Sequence, residues 1–315
     1  MATLMRSDTP PPPPADQSGG GHAVSTMAAV GAWGPCATIA GVSRAWRRHS
    51  VALGWGRLSV QIAGDGPPLL LLHGLGGSGR YWAGLAPRLA ASHTLIAPDL
   101  AGFGRSDKPS VDYSRAFHLD NLDGMLRFLS IDGALGVAGH SMGGILAALF
   151  AARRPGRIES LALVASPFPQ VQRHPYRTPR GPLARAVYAS IQRILPVASP
   201  LVRSKTFPRA VVADYLRHTL DSYNLTSNSL LWDPAAVPEL SHLGAEMAGR
   251  PQLLLYSGED RTIAPDSLER WRALLPDAEV RVAAGAHQLL LRDRFTTLAG
   301  WFEGLSVPLP VAASG

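Results

Sequence analysis

The sequence contains one cysteine, Cys36. That excludes an intrachain disulfide and any metal cluster built on cysteine. It also has no run of Lys and Arg of the kind that grips nucleic acid, although the formal net charge is +7. No nucleic-acid partner is expected, and the charge is open to two readings, solubility or an anionic partner. His118, His174, His218 and His242 share no ligand-like grouping, so no metal and no cofactor is expected. No segment reads as a convincing membrane span. Residues 23–42 are uncharged but weakly apolar, and Gly31, Gly34 and Pro35 interrupt them. A secretory signal needs a basic start followed directly by an apolar core, and here prolines 10–14 intervene. A cytoplasmic protein is expected, with export as the alternative.

Glycine and proline are unevenly spread. Prolines 10–14 and glycines 19–21 cannot supply a packed core, so residues 1–48 are expected to be a disordered leader and residues 306–315 a tail. From about residue 50 the pattern becomes regular. Residues 51–63 read as a hairpin, 69–72 as a buried strand, 81–91 as a helix and 94–98 as a strand. A turn-rich loop over 99–109 follows, then a helix over 113–130 with Phe117, Leu122, Met125, Leu126 and Leu129 on one side. Strands are expected at 134–138, 158–165, 252–257 and 279–283, with helices at 145–153, 267–275 and from 287 to 302. Strands alternating with helices, several of them apolar on both faces, imply an α/β domain with a mostly parallel sheet covered on both sides. Between residues 167 and 250 the alternation stops, and prolines punctuate short helical pieces over 183–195 and 209–220. The expectation is a core formed by residues 49–166 and 251–305, with a helical insertion over 167–250.

The stretch Gly139-His140-Ser141-Met142-Gly143-Gly144 lies between an apolar strand and a helix. A serine at such a strand-turn-helix junction is held in a strained conformation with its hydroxyl exposed, beside free N–H groups at the helix start. The glycines on either side leave room for close packing. Asp260 follows the strand at 252–257, and His287 follows the last strand. In an open parallel sheet the loops at the strand carboxyl ends gather along one edge, so Ser141, Asp260 and His287 are expected to converge there. The imidazole would take the serine proton, and the carboxylate would fix its tautomer. Glu259 is the alternative acid.

With these motifs in order, the sequence resembles the α/β-hydrolase fold superfamily over roughly residues 50–305. The resemblance rests on His73-Gly74-Leu75-Gly76 as an oxyanion turn, the D-x-x-G-x-G-x-S-x-x-P loop from Asp99 to Pro109 and the elbow around Ser141. It is completed by the acid turn Gly258-Glu259-Asp260-Arg261 and the histidine turn Gly285-Ala286-His287, where the family usually has glycine directly before the histidine. It implies an oxyanion hole from the backbone N–H groups of Leu75 and Met142, and a lid formed by the insertion. His73 is read as bracing the oxyanion loop, and His140 as flanking the elbow without doing chemistry. Asp99 and Asp107 are read as shaping their loop, and Arg105 and Lys108 as solvated.

Haloalkane dehalogenases and epoxide hydrolases place aspartate at the elbow, and a serine there argues against both. The expected function is hydrolysis of an ester or related acyl bond of a small molecule through an acyl-enzyme. Carbon–carbon bond hydrolysis and acyl transfer are alternatives on the same residues, and a slow ligand-binding protein is the alternative from another class. Between residues 172 and 219 the insertion carries Arg173, Arg177, Arg180, Arg185, Arg193, Arg203, Lys205, Arg209 and Arg217 against a single acid, Asp214. Either these are solvated over an apolar cap, or they dock on an anionic membrane surface or recruit an anionic substrate.

Overall fold

The computed structural model describes residues 44–169, 181–183, 186–190, 209–215 and 217–305. Residues 1–43 of the expected leader, the tail, Cys36, His174 and most of the basic residues of the insertion lie outside them. Eight strands form one sheet: β1 (Arg47–Leu53), β2 (Gly56–Ala63), β3 (Pro68–Leu72), β4 (Thr94–Pro98), β5 (Leu135–His140), β6 (Ile158–Val164), β7 (Gln252–Tyr256) and β8 (Glu279–Val282). Their order is β1-β2-β4-β3-β5-β6-β7-β8. The hairpin β1–β2 is antiparallel and β2 pairs antiparallel with β4, while every pairing from β4 to β8 is parallel. Parallel strands need crossovers, and the helices of those crossovers cover both faces.

The apolar runs that look featureless in sequence divide cleanly between the two faces. Leu70, Leu72, Ile96, Val137 and Leu254 point into one core cluster with the helices Arg115–Phe128 and Met142–Arg153. Leu69, Leu71, Leu95, Ala97, Leu253 and Leu255 point into the other, with Trp82, Leu85, Leu298 and Phe302. This is the period-two alternation of a strand buried on both sides.

Three expected elements differ in detail. The first strand begins at Arg47, inside the expected leader. The helix expected over 81–91 is a 3-10 helix, Gly79–Leu85, followed by a single α turn, Ala86–Leu89. A proline inside an α-helix clashes with the carbonyl four residues back, here that of Ala83, so the α geometry restarts with Pro87 in its first turn. The final helix is two pieces, Leu289–Arg292 and Thr296–Leu305, separated at Arg294 and Phe295, both of which have positive φ. Asp293 fastens this break by accepting from the backbone N–H groups of Phe295 (2.9 Å) and Thr297 (3.1 Å).

Among the described residues no strand lies between 167 and 250. Helices there span Arg209–Tyr215, Leu220–Leu230, Ala236–Glu239 and Leu243–Met247, so the helix expected over 209–220 ends at Tyr215. Leu230, Leu240, Leu243 and Met247 are fully buried in the main cluster. The last part of the expected insertion therefore belongs to the crossover between β6 and β7. No helix of the described residues is long and apolar enough to cross a membrane.

Candidate active site

Ser141 follows β5 directly and precedes the helix Met142–Arg153, with φ 55° and ψ −124°. Left-handed φ is costly for a residue with a Cβ. The surroundings over-determine it. A Cβ at Gly139 would lie 2.1 Å from the carbonyl oxygen of Gly143, and one at Gly143 would lie 2.3 Å from the carbonyl oxygen of Leu72. Strand and helix thus approach to a distance only glycine permits, and Ser141 takes up the turn.

The structure brings the three expected side chains together. His287 Nε2 is 2.9 Å from Ser141 Oγ, and its Nδ1 is 2.8 Å from Asp260 Oδ2. An ionised carboxylate can only accept, so Nδ1 carries the proton and the lone pair of Nε2 faces the serine hydroxyl. The Asp260 side chain is 2% exposed. Burial pushes its carboxyl pKa up, but the hydrogen bond and charge of His287, with the backbone N–H groups of Thr262 and Ile263, outweigh this and leave it lowered. Glu259, the alternative acid, is exposed. In the histidine turn the positive φ falls on Gly285, at 104°, so Ala286 needs no unusual backbone.

The loop after β3 lies against the serine, with a Cβ at Gly74 meeting Ser141 Cβ at 3.2 Å. Gly77 N–H closes a turn on Gly74 O at 2.9 Å. Gly76 in its third position has φ 74°, as a type II turn requires. Leu75 occupies the second position, whose N–H takes no part in the turn bond. Met142 is the first residue of its helix, so its N–H has no intrahelical acceptor.

The buried histidines act as braces. His73 Nδ1 donates to Gly74 O (2.8 Å), and Nε2 accepts from Leu100 N–H (2.9 Å), tying the β3 and β4 loops together. Asp99 accepts from Gly79 N–H (2.7 Å) and Arg105 N–H (2.8 Å), and Asp107 accepts from Arg57 N–H (3.0 Å). Lys108 departs from its solvated reading, because its ammonium donates to the carbonyls of Gly104 (3.0 Å) and Ser106 (2.6 Å).

Two contacts were not legible in the sequence. His140 does more than flank the elbow. It stacks on Tyr81 at 4.6 Å between ring centroids and donates from Nε2 to the His287 carbonyl at 2.9 Å. Burial first, then the neighbouring His287, lowers its pKa to about 3. Asp214, noted only as a lone acid among arginines, has a side chain 1% exposed. It accepts from Ser78 Oγ (3.1 Å) and Arg80 Nη1 (3.3 Å), on the loop that follows Gly76. The only sequence signal was its isolation.

The family profile described as alpha/beta hydrolase fold matches residues 67–293. The chain belongs to the α/β-hydrolase fold family. An uncharacterized protein of Mycobacterium tuberculosis is 42% identical over 110 residues, which is 35% of this chain and 32% of that protein, about a third of each. A haloalkane dehalogenase of Mesorhizobium japonicum is 28% identical over 257 residues, 73% of this α/β-hydrolase chain and 81% of that one. Among solved structures, an esterase from Exiguobacterium antarcticum superposes with a TM-score of 0.63 at 15% identity, covering 83% of this chain and 98% of that one, and so attests the fold alone. Among the described residues no group of His, Cys, Asp and Glu could hold a metal ion.

Proposed function

We propose that this α/β hydrolase cleaves a carboxylic ester or related acyl bond through an acyl-enzyme on Ser141. The observation that carries the reading is the hydrogen-bonded sequence from Ser141 Oγ to His287 to Asp260, at 2.9 and 2.8 Å. Ser141 Oγ attacks the carbonyl carbon while its proton passes to His287 Nε2. The oxyanion is met by the N–H groups of Leu75 and Met142. Collapse of the intermediate expels the alcohol, which takes the proton from His287. Water, activated by the same imidazole, then releases the acid. Asp260, held ionised, stabilises the transient imidazolium.

A serine nucleophile separates this chain from its dehalogenase relative by chemistry, because aspartate is the residue expected at the elbow of that branch. The segment carrying Asp214 and Tyr215 borders the oxyanion turn, since a Cβ at Gly76 would meet the Tyr215 ring at 2.7 Å. That supports a lid role for the insertion.

The test is labelling of the folded full-length chain with a fluorophosphonate. Mass spectrometry is expected to find one adduct, on the peptide containing Ser141, and ester turnover is expected to vanish in Ser141→Ala. Continued turnover in that variant would overturn the mechanism. Cleavage of a vinylogous diketone without ester turnover would move the activity to carbon–carbon bonds.

A further inference from the structure

The hairpin at the sheet edge carries an arrangement that the acyl chemistry does not use. β1 and β2 pair with Arg48 opposite Gln61, Ser50 opposite Ser59 and Ala52 opposite Arg57. Residues two apart on a strand share a face, so Arg48, Ser50, Arg57 and Ser59 rise from one side of the hairpin. Arg105, from the loop after β4, joins them. With His49 and Asp107 they line an open cleft of about 330 Å³.

Two observations distinguish this cleft from an ordinary solvated dent. The first is uncompensated charge. Asp107 is engaged by Arg57, at 3.0 Å through the backbone N–H and 3.5 Å through Nε. Among the described residues Arg48 and Arg105 have no ion-pair partner. Partial burial first, and then the Arg48 guanidinium, push Arg105 below its ordinary pKa, with Arg217 and Arg80 adding to the effect against Asp214. Three arginines against one carboxylate leave a charge of +2 at the cleft. The second observation is an orphaned hydroxyl. Ser59 is 8% exposed, and its Oγ has no hydrogen-bond partner. Its backbone is already committed, donating to Ser106 Oγ at 2.9 Å and accepting from Asp99 N–H at 2.8 Å. A buried hydroxyl without a partner is destabilising, and a ligand oxygen beside it would relieve that.

We propose that this cleft binds a phosphate monoester group. Guanidinium forks match phosphate oxygens two at a time, and serine hydroxyls supply further donors. The charge of +2 complements the roughly −1.5 to −2 that a phosphate monoester carries at neutral pH. A carboxylate would satisfy half that charge and fewer of the donors. The site is independent of the acyl chemistry assigned to Ser141. Its ligand is either a small soluble phosphate monoester or the phosphate headgroup of a lipid.

The experiment uses the full-length chain at fixed ionic strength. Isothermal titration with glycerol 3-phosphate, with glycerol as the control, forms one arm. Co-sedimentation with phosphatidylcholine vesicles, with and without phosphatidic acid, forms the other. The expected result is saturable 1:1 binding of the soluble phosphate, or phosphatidic-acid-dependent sedimentation, and which arm responds names the source. In either arm, Arg48→Gln combined with Arg105→Gln is expected to weaken binding about tenfold or more, the loss of at least one hydrogen bond between charged groups. Ser59→Ala, a smaller change that keeps the strand, is expected to weaken it a few-fold, roughly what a single hydroxyl contributes. Circular dichroism confirms that each variant is folded. No binding in either arm, or undiminished binding in both folded variants, overturns the proposal.

Discussion

The helix Met142–Arg153 and the helix Leu220–Leu230 both reach the larger core cluster, and they are held there by opposite means. Ten of the twelve residues of the first are buried, and every one is apolar or glycine. The second buries Leu220, Ser222, Thr226, Ser227 and Leu230, so most of what it hides is polar and each hydroxyl must be answered. Ser222 Oγ donates to Gly102 O (2.9 Å), Thr226 Oγ1 meets His118 Nε2 (3.0 Å), and Ser227 Oγ accepts from Trp232 Nε1 (3.0 Å). Ser229 Oγ adds a bond to Tyr113 O at 3.0 Å. Apolar burial requires no particular partner, only a dry surface, whereas polar burial succeeds only if a specific atom from another part of the chain arrives. The first helix can therefore be recognised from its own residues, and the second only from the assembled fold.

Perturbing each region sharpens this contrast. The largest effect is expected at the chemistry beside the first helix. Asp260→Asn is expected to lower kcat by about 10⁴-fold, as loss of the triad carboxylate does elsewhere, with the melting temperature nearly unchanged. A drop in kcat of less than tenfold would detach Asp260 from the mechanism. Next, Gly143→Ala places a Cβ 2.3 Å from the backbone carbonyl of Leu72. Neither strand nor helix can yield, so a loss above about 4 kcal/mol is expected, read as absence of soluble folded protein or a collapsed denaturation midpoint. On the polar side, Asp214→Ala leaves Arg80 and Ser78 without their shared acceptor. A destabilisation of about 2 kcal/mol in urea unfolding is expected, below the range for breaking a fully buried ion pair because the Arg80 side chain is 30% exposed.

Acid affects both regions alike. His140 behind the elbow and His118 against Thr226 are each lowered to about 3, by burial first, and then by His287 and His73 respectively. In the unfolded chain these imidazoles protonate near 6.5, so between 6.5 and about 3 the unfolded state binds more protons. Stability is then fully present above 6.5 and falls with falling pH, by about 1.4 kcal/mol per pH unit for each histidine. Melting temperatures from pH 7 to 4 are expected to decline steeply, and His118→Gln is expected to flatten the slope. A flat profile would mean these histidines are not buried neutral. The smallest effect is Ser222→Ala, expected to cost about 1 kcal/mol in the same urea assay because it strands the Gly102 carbonyl. A neutral result there would show that the second helix is held by its leucines after all.

Much of the site was legible because its requirements are local. Gly139, Ser141 and Gly143 announce a turn in which the close approach of Gly139 to Gly143 is local, and the apolar runs of β3 to β7 announce strands buried on two faces. The convergence of Asp260 and His287 on Ser141 was legible one step less directly, from the rule that loops at strand carboxyl ends share an edge. Where expectations failed, distant atoms decided the outcome. Asp214 finds Ser78 across 136 residues. His140 holds the carbonyl of a residue 147 positions away, and Ser59 ends with its hydroxyl unanswered beside three arginines. By itself the sequence determined the α/β alternation and the strained elbow that carries Ser141, because backbone sterics and burial periodicity act over a few residues. Only the tertiary structure decided which buried polar groups meet which partners, because a hydrogen bond needs an atom placed to within a fraction of an ångström, and that placement is set by strand register and crossover packing.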